Sequence, residues 1–140
     1  MSKIKKASLV ILEKEEKILL IRRFNTGFAD GLYTLPSGKA DPGESFTQTA
    51  IRETFEEVNA KVSKLESAHI LFDNRENEEW IQHFFLAKEW SGEIKNMEPN
   101  KCDDIQWFNI NNLPKNTLPF VKSALEKIYK ENKHYSEIGR

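Results

Sequence analysis

A loop rich in helix-breaking residues directly precedes a strongly helical segment, and this pairing constrains the fold more than any other part of the sequence. The eight residues from Pro36 to Gly43 include two prolines and two glycines, so they are predicted to form a loop. Ser45 or Thr47 can cap the helix that follows. Asn59 can end this helix, because asparagine tolerates the left-handed backbone conformation.

Helical periodicity divides this segment into a carboxylate side and an apolar side. At about 100° per residue, Glu53, Glu56 and Glu57 fall on one side of the helix. The other side carries Ile51, Phe55 and Val58, with Thr54 beside them. We therefore expect the apolar side to pack against a sheet and the three carboxylates to lie within reach of one another.

Clustered carboxylates repel one another, so they need a positive partner. Hard divalent cations such as Mg²⁺ prefer oxygen ligands and often keep phosphate as a further ligand. Arg52 can hold a neighbouring carboxylate with its forked donors. The alternative is a solvated helix face, since glutamate is a good helix former and Arg52 with Glu56 is an ordinary i, i+4 pair.

The spacing of the charged and glycine positions resembles the box of the Nudix hydrolase family. Gly38 is followed after five residues by Glu44, and after seven more by the run Arg52-Glu53-Thr54-Phe55-Glu56-Glu57. The box spans Gly38 to Ala60, with Asn59 where the family usually has glycine. The segments Leu32–Lys39 and Asp103–Phe108, and then Leu113-Pro114, are similar to the family's entry into the box, final strand and exit.

The resemblance implies an α/β fold, the Nudix α/β/α sandwich with a mixed β-sheet between helices, formed as one domain over residues 1–140. It also implies metal-dependent attack of water on a diphosphate. Glu53, Glu56, Glu57 and Arg52 would be the catalytic residues. The metal, Mg²⁺ or Mn²⁺, would be held by Gly38 through its carbonyl and by Glu53, Glu56 and Glu57, with Glu98 as a further candidate. Glu44 would tie the loop to the helix or support the metal ligands indirectly.

Other polar and aromatic residues have two interpretations each. Arg22, Arg23 and Lys39 are candidates to bind phosphate, and Arg23 and Lys39 are the two we select; solvated surface charge is the alternative. The aromatic residues that could stack on a base, or simply form core, are Phe24, Phe28, Trp80, Trp90 and Trp107. Asp103 and Asp104 could accept hydrogen bonds from a purine edge or could end a loop. His69 and His83 are expected to be strand histidines rather than metal ligands.

The remaining sequence predicts strands and one more helix. Apolar runs at Ser8–Leu12 and Ile18–Ile21 predict a hairpin covered on both faces. Further strands are expected at Tyr33–Leu35, Val62–Phe72, Trp80–Ala87 and Ile105–Ile110. An amphipathic helix is expected from Pro119 to about Asn132, with its buried side formed by Phe120, Val121, Ala124, Leu125 and Ile128.

Composition narrows the classes of partner and the cellular compartment that this protein suits. The formal net charge of −1 gives no global field for a nucleic acid polymer or a membrane, so we expect a small nucleotide as partner. No stretch approaches the roughly 20 apolar residues of a membrane span. Cys102 is the one cysteine, which excludes an intrachain disulfide and fits a cytoplasmic protein. The oligomeric state stays open, with a homodimer as one option.

The family resemblance leaves two functions from different classes. The first is hydrolysis of the diphosphate linkage of a nucleoside diphosphate derivative, and the second is a non-catalytic Nudix-fold module that binds a nucleotide or a protein. The intact glutamates favour the hydrolase. Subgroups acting on ADP-ribose often have a proline well downstream of the box, and the stretch from Lys61 to Pro99 contains none except Pro99 itself. Subgroups acting on dinucleoside polyphosphates tend to have a tyrosine in that region, and none occurs between Tyr33 and Tyr129. By elimination, nucleoside triphosphates, damaged or non-standard ones included, are the leading substrates, giving a nucleoside monophosphate and pyrophosphate.

Overall fold

Two β-sheets and two helices form the fold of this chain in the computed structural model, which describes residues 4–75 and 77–139. The strands are β1 (Ile4–Ile11), β2 (Glu13–Lys14), β3 (Lys17–Arg23), β4 (Tyr33–Thr34), β5 (Ser37–Lys39), β6 (Lys61–Arg75), β7 (Glu78–Ser91), β8 (Cys102–Asn109) and β9 (Tyr135–Gly139). The helices are α1 (Phe46–Val58) and α2 (Pro119–Lys130).

The larger sheet is mixed and has the order β5-β1-β7-β6-β9. Its β1–β7 and β6–β9 pairs are parallel, and its β1–β5 and β6–β7 pairs are antiparallel. In the smaller sheet, β3 pairs antiparallel with β2, β4 and β8. The α/β class and the mixed sheet with a helix on each face are as predicted from the sequence, whereas the second, antiparallel sheet was not expected. None of the helices in the described part of the chain is long and apolar enough to cross a membrane.

The first two apolar runs do not form the hairpin that we expected. β1 joins the larger sheet and β3 the smaller one, and only Glu13–Lys14 pairs back onto the start of β3. A continuous apolar run shows that both faces of a strand are covered, but it carries no information about the strand's neighbours. The expectation of double burial is confirmed, since Leu9, Val10 and Ile11 are all at most 2% exposed.

Side chains of β1 point alternately into two cores, one on each face of the larger sheet. Leu9 and Ile11 belong to the core that also contains Val121, Ala124 and Leu125 of α2. Val10 belongs to the second core, together with Ala50 and Val58 of α1. The two helices therefore cover opposite faces. The predicted buried side of α2 is confirmed, with Phe120 and Ile128 packed at its edge.

Besides the short β2, two strands were not expected from the sequence. Ser37–Lys39, which we assigned to a loop, forms β5 along the edge of β1. Tyr135–Gly139 forms β9 parallel to β6. Neither segment has the run of β-branched or aromatic residues that marks a strand, so each depends on hydrogen bonds offered by the neighbouring strand's free edge. The strands expected at Val62–Phe72 and Trp80–Ala87 are confirmed as β6 and β7, which pair with each other and extend beyond the predicted bounds.

Helix α1 begins and ends where its sequence predicts. The Ser45 side chain accepts from the Gln48 backbone N–H, and the Gln48 side chain accepts from the Ser45 N–H, which completes a capping box. Asn59 ends the helix in the left-handed conformation, with φ of 65°. Its amide nitrogen also donates to the Glu93 carbonyl oxygen at 2.9 Å, a bond for which the sequence gives no sign.

The orientation predicted for α1 is only partly correct: Val58 and Thr54 are buried as expected, but Ile51 and Phe55 are not. Ile51 and Phe55 are 41% and 42% exposed, whereas Ala50 and Thr54 are completely buried together with Val58. The carboxylate side of the helix faces partly towards the protein interior, and the side chain of Glu53 is only 19% exposed. Small residues at i, i+4 and i+8 allow close approach to the sheet, which the larger Ile51 and Phe55 would prevent.

Replacing the C-terminal cap of α1 separates its backbone role from its side-chain role. Asn59→Ala should lower the free energy of unfolding by about 2 kcal/mol, through left-handed strain and the lost bond to Glu93. Asn59→Gly, the matched control, loses only the bond and should cost less than about 1 kcal/mol. Urea denaturation of the two variants measures this difference, and equal stabilities would contradict it.

Candidate active site

Arg52 on α1 is the centre of an ion-pair network that joins the loop to the helix. Its Nε and Nη2 donate to the two carboxylate oxygens of Glu44 at 2.7 and 2.8 Å. Its Nη1 donates to Glu53 at 2.7 Å and to Glu56 at 3.3 Å. A planar guanidinium with five fixed donors fits this role, whereas a lysine ammonium could not form the same fork. Arg52 thereby sets the position of two of the three box carboxylates.

Glu44 connects the turn before α1 to the helix itself. Besides Arg52, its carboxylate accepts from the Asp41 N–H at 3.0 Å and from the Thr49 hydroxyl at 2.8 Å. Hydrogen bonds from Arg52, from the Asp41 backbone and from Thr49 lower the pKa of Glu44 to about 2. The carboxylate is therefore fully ionised at neutral pH and acts as a fixed anchor for Arg52.

Gly38 lies against the side chain of Glu53, and only glycine fits there. A Cβ atom at this position would come 2.1 Å from the Glu53 carboxyl carbon and 2.5 Å from its Oε1. The backbone of β5 thus approaches the carboxylate as closely as possible. A glycine is required here by lack of space, since its backbone conformation is not left-handed.

Glu57 and Glu53 are carboxylates held in a partly desolvated setting. Glu57 accepts from the Ser37 backbone N–H at 2.7 Å. Burial raises the pKa of Glu57 well above its ordinary value, the Ser37 hydrogen bond opposes this, and Glu53 and Glu98 add to the rise. Burial also raises the pKa of Glu53, against the effect of Arg52. A cation bound beside Glu53 and Glu57 would stabilise the ionised form of both carboxylates.

A cavity of about 420 Å³ brings together the carboxylates selected from the sequence. Its lining includes Glu53, Glu56 and Glu57 from α1 and Glu98 from the loop before β8. Arg23 and Lys101 contribute positive charge to the same cavity. Among the described residues, no three His, Cys, Asp or Glu side chains are already grouped as metal ligands, because Glu53 faces Arg52 and Glu57 faces Ser37.

A second cavity, of about 400 Å³, opens beside the first and shares Arg23 with it. Gly38 and Lys39 line it, so both phosphate-binding candidates selected from the sequence reach this space. Its other lining residues are Ala7, Leu9, Phe28, Thr34, Ser37, Arg75, Trp80, Gln82, Leu118 and Phe120. Arg23 is fixed between the cavities, because its Nε donates to the Phe28 carbonyl oxygen at 2.7 Å.

Several lining residues were missed by the sequence reasoning. Lys101 in the first cavity and Arg75 and Gln82 in the second come from parts of the chain far from the box. They reach the site only because β6, β7 and the loop before β8 are brought next to β1 and α1. No local spacing connects them to Gly38 or Glu53, so no pattern in the sequence could have identified them.

Other candidates have partners of their own. Arg22 Nε donates to Asp103 at 2.7 Å, and the Tyr33 hydroxyl donates to Asp104, so neither aspartate points freely at a ligand. The rings of Trp90 and Trp107 stack on each other, with centroids 6.1 Å apart.

The two strand histidines and the cysteine occupy structural positions. Both ring nitrogens of His69 are hydrogen-bonded, one with Lys133 O and the other with the Ser136 hydroxyl. His83 lies within β7 and pairs with the Ser67 hydroxyl. Cys102 is buried at the start of β8, and burial raises the pKa of its thiol, which makes it a poor nucleophile at neutral pH.

A glycine-containing edge strand packed against a carboxylate-bearing helix, in an α/β fold with two sheets, matches what the resemblance to the Nudix class implies. The chain belongs to the Nudix hydrolase family: residues 3–130 match the family model described as NUDIX domain. It is 35% identical over 121 residues to an ADP-ribose pyrophosphatase of Methanocaldococcus jannaschii, covering 85% of this chain and 69% of that protein.

Other sequence relatives carry different names, and a solved structure shares the fold. The chain is 30% identical over 122 residues to the NAD-capped RNA hydrolase NudC of Chromobacterium violaceum, covering 84% of this chain and 42% of that protein. It spans about two-fifths of the length of the NudC proteins it matches. Among solved structures, a MutT NUDIX hydrolase from Burkholderia pseudomallei superposes with a TM-score of 0.82 at 25% identity, covering 91% and 99% of the two chains.

The contribution of Glu44 to the free energy of unfolding should depend on pH. Because its pKa is lowered in the folded state, Glu44 contributes stability above about pH 4.5 that is lost as the pH falls towards about 2. Glu44→Gln should therefore be less stable than the wild type at pH 7, and this gap should narrow at pH 3. Asp41→Asn is the control, since Asp41 is exposed and lies 3.6 Å from Arg52. A gap that is constant from pH 7 to pH 3 in urea denaturation would contradict the prediction.

Proposed function

We propose that this protein hydrolyses the diphosphate linkage of a nucleoside diphosphate derivative. The observation that carries the proposal is the cavity in which Glu53, Glu56, Glu57 and Glu98 meet, with Arg23 joining it to a second, more apolar cavity. Such a pair of spaces suits a ligand with a polyanionic part and an organic part. Within the Nudix family, four acidic groups in one cavity favour catalysis over simple binding.

Each residue has a distinct task in the proposed reaction. Arg23 and Lys39 contact the phosphates and hold the diphosphate beside the carboxylates. Arg52 keeps Glu53 in place, and Glu44 keeps Arg52 in place. Water attacks phosphorus, the bond to the bridging oxygen breaks, and a cavity carboxylate accepts the proton of the water. The products are a nucleoside monophosphate and a second phosphate compound.

The donor set fits a divalent metal, Mg²⁺ or Mn²⁺. Glu53, Glu56 and Glu57 offer the carboxylate oxygens that hard cations prefer, with Glu98 and the Gly38 carbonyl as further donors. Burial raises the pKa of Glu53 and of Glu57, and a cation would offset the cost of keeping both ionised. When bound, such a metal supplies charge neutralisation for the diphosphate and a more acidic water.

Nucleoside triphosphates are the first substrate class to test, and ADP-ribose is the second. The first follows from the absence of the downstream proline and tyrosine signatures. The second is supported by the 35% identical relative named ADP-ribose pyrophosphatase. A kinetic screen of nucleotides and nucleotide sugars, with products identified by mass, distinguishes them. A chain that cleaves no member of the panel with Mg²⁺ or Mn²⁺ present would refute the proposal.

Removal of metal should stop the reaction. We expect turnover of the best substrate to fall to background in excess chelator and to return when Mg²⁺ or Mn²⁺ is added, because four carboxylates alone would repel a diphosphate. The measurement is the release of phosphate products before and after metal is restored. Full turnover in chelator would exclude the metal-dependent mechanism.

Glu57→Gln tests the contribution of one cavity carboxylate to the reaction. The change keeps size and helix propensity and removes one charge, so kcat should fall by roughly 10²–10⁴. The melting temperature in chelator should stay the same or rise, since the change removes a half-buried charge that Glu53 and Glu98 repel.

The matched control for this change is Glu126→Gln on α2, a glutamate that does not line the carboxylate cavity. It should leave both kcat and the melting temperature near their wild-type values. A Glu57→Gln enzyme with near wild-type kcat would remove Glu57 from the mechanism and leave the other carboxylates as candidates.

A further inference from the structure

The second cavity has a positively charged rim and an apolar wall. Arg23, Lys39 and Arg75 supply the charge, and Phe28 and Phe120 supply part of the apolar surface. The wall formed by the larger sheet continues the first core: Gln82 and Phe84 lie on the same face of β7, and Phe84 is completely buried. An apolar residue would therefore be the ordinary choice at position 82.

Gln82 is instead a largely buried residue whose amide opens onto the cavity and has no hydrogen-bonding partner in the described part of the protein. It is 4% exposed, it lines the cavity, and its side chain forms no hydrogen bond with any residue among 4–75 and 77–139. Its strand neighbours are Ala7 on β1 and Leu71 on β6, whose side chains offer no polar group. What remains accessible of the side chain faces the cavity, so the amide can hydrogen-bond a ligand there without giving up a bond to the protein.

The other long polar side chains of the wall are already engaged. Trp80 Nε1 donates to Glu78 at 2.8 Å, and Arg75 pairs with Asp73 at 3.0 Å while its guanidinium lies 5.0 Å from the Trp80 ring centroid. Thr34, at 2% exposure, offers a single hydroxyl on the opposite strand β4. Among these groups, Gln82 has both a donor and an acceptor available to a ligand.

We propose that Gln82 is a specificity-determining residue that reads the hydrogen-bonding edge of a nucleobase held in the second cavity. The inference rests on the proposed function, because the diphosphate is placed at the carboxylates and its organic part then extends past Arg23. Nucleobases carry a donor and an acceptor side by side, and a glutamine amide can pair with both at once. The apolar wall and Phe28 suit the faces of a flat ring.

The test measures binding without catalysis. Calorimetry in chelator compares four nucleoside 5′-monophosphates with ribose 5-phosphate, which lacks a base, for the wild-type protein and for Gln82→Met. Methionine keeps the unbranched length of the side chain and removes both hydrogen-bonding groups. Gln106→Met is the matched control, since Gln106 is exposed on β8 and does not line this cavity.

We expect Gln82→Met to weaken binding of the preferred nucleotide by roughly 10- to 100-fold and to reduce the differences among the four bases. Its affinity for ribose 5-phosphate should stay within about 3-fold of wild type, because that ligand never reaches the amide. The melting temperature without ligand should be unchanged or higher, since the amide makes no hydrogen bond within the described part of the protein and methionine places apolar atoms beside Ala7 and Leu71. A purely structural role would lower it. Gln106→Met should bind all five ligands like the wild type.

Failure of this inference is distinguishable from failure of the proposed function. If Gln82→Met binds every nucleotide like the wild type, or loses ribose 5-phosphate equally, the assignment of Gln82 is overturned even where hydrolysis is normal. If the wild-type protein cleaves no diphosphate but Gln82→Met still shows the base-dependent loss, the proposed activity fails and the base-reading role stands.

Discussion

The ion pairs of Arg52 organise the part of the fold on which the candidate site depends. Its fork to Glu44 fixes the turn before α1, and its remaining donor holds Glu53 towards the cavity. Because Glu44 is bound by Arg52, Thr49 and a backbone N–H together, the anchor is itself rigid. A guanidinium placed between carboxylates keeps them close despite their repulsion, which a solvated helix face would not require.

Close packing of backbone against side chain extends this constraint from the helix to the sheet. Gly38 lets β5 approach Glu53 without a side chain between them, and the neighbouring Ser37 N–H binds Glu57. The sheet edge and the helix thus hold two carboxylates in a half-buried position where ionisation is disfavoured. The stability lost by keeping them there is offset by the capped helix, the two cores and the Arg52 network. Arg23 then links this polar region to the cavity that contains Gln82.

The sequence predicted where helices and strands begin and end better than it predicted how they pack against one another. The caps of α1 at Ser45 and Asn59 follow from local backbone chemistry, which is why both are confirmed. The side of α1 that is buried was predicted only in part, because the amphipathic pattern assigned Ile51 and Phe55 to the core. In this helix, close approach through small residues and inward carboxylates outweighs the burial of two large apolar side chains. Hydrophobic periodicity cannot anticipate such a requirement.

By itself, the sequence determined the family, the α/β class and the spacing that places Glu53, Glu56 and Glu57 on one helix, because these depend on residues close together in the chain. Only the tertiary structure decided which strands are neighbours, how Arg23 comes to lie between two cavities, and that the Gln82 amide opens onto the second cavity without a hydrogen-bonding partner among the described residues. Those features depend on long-range strand pairing, in which β1 lies parallel to β7 across more than 60 intervening residues. Pairing of this kind is set by packing and edge hydrogen bonds over the whole domain, and no short segment encodes it.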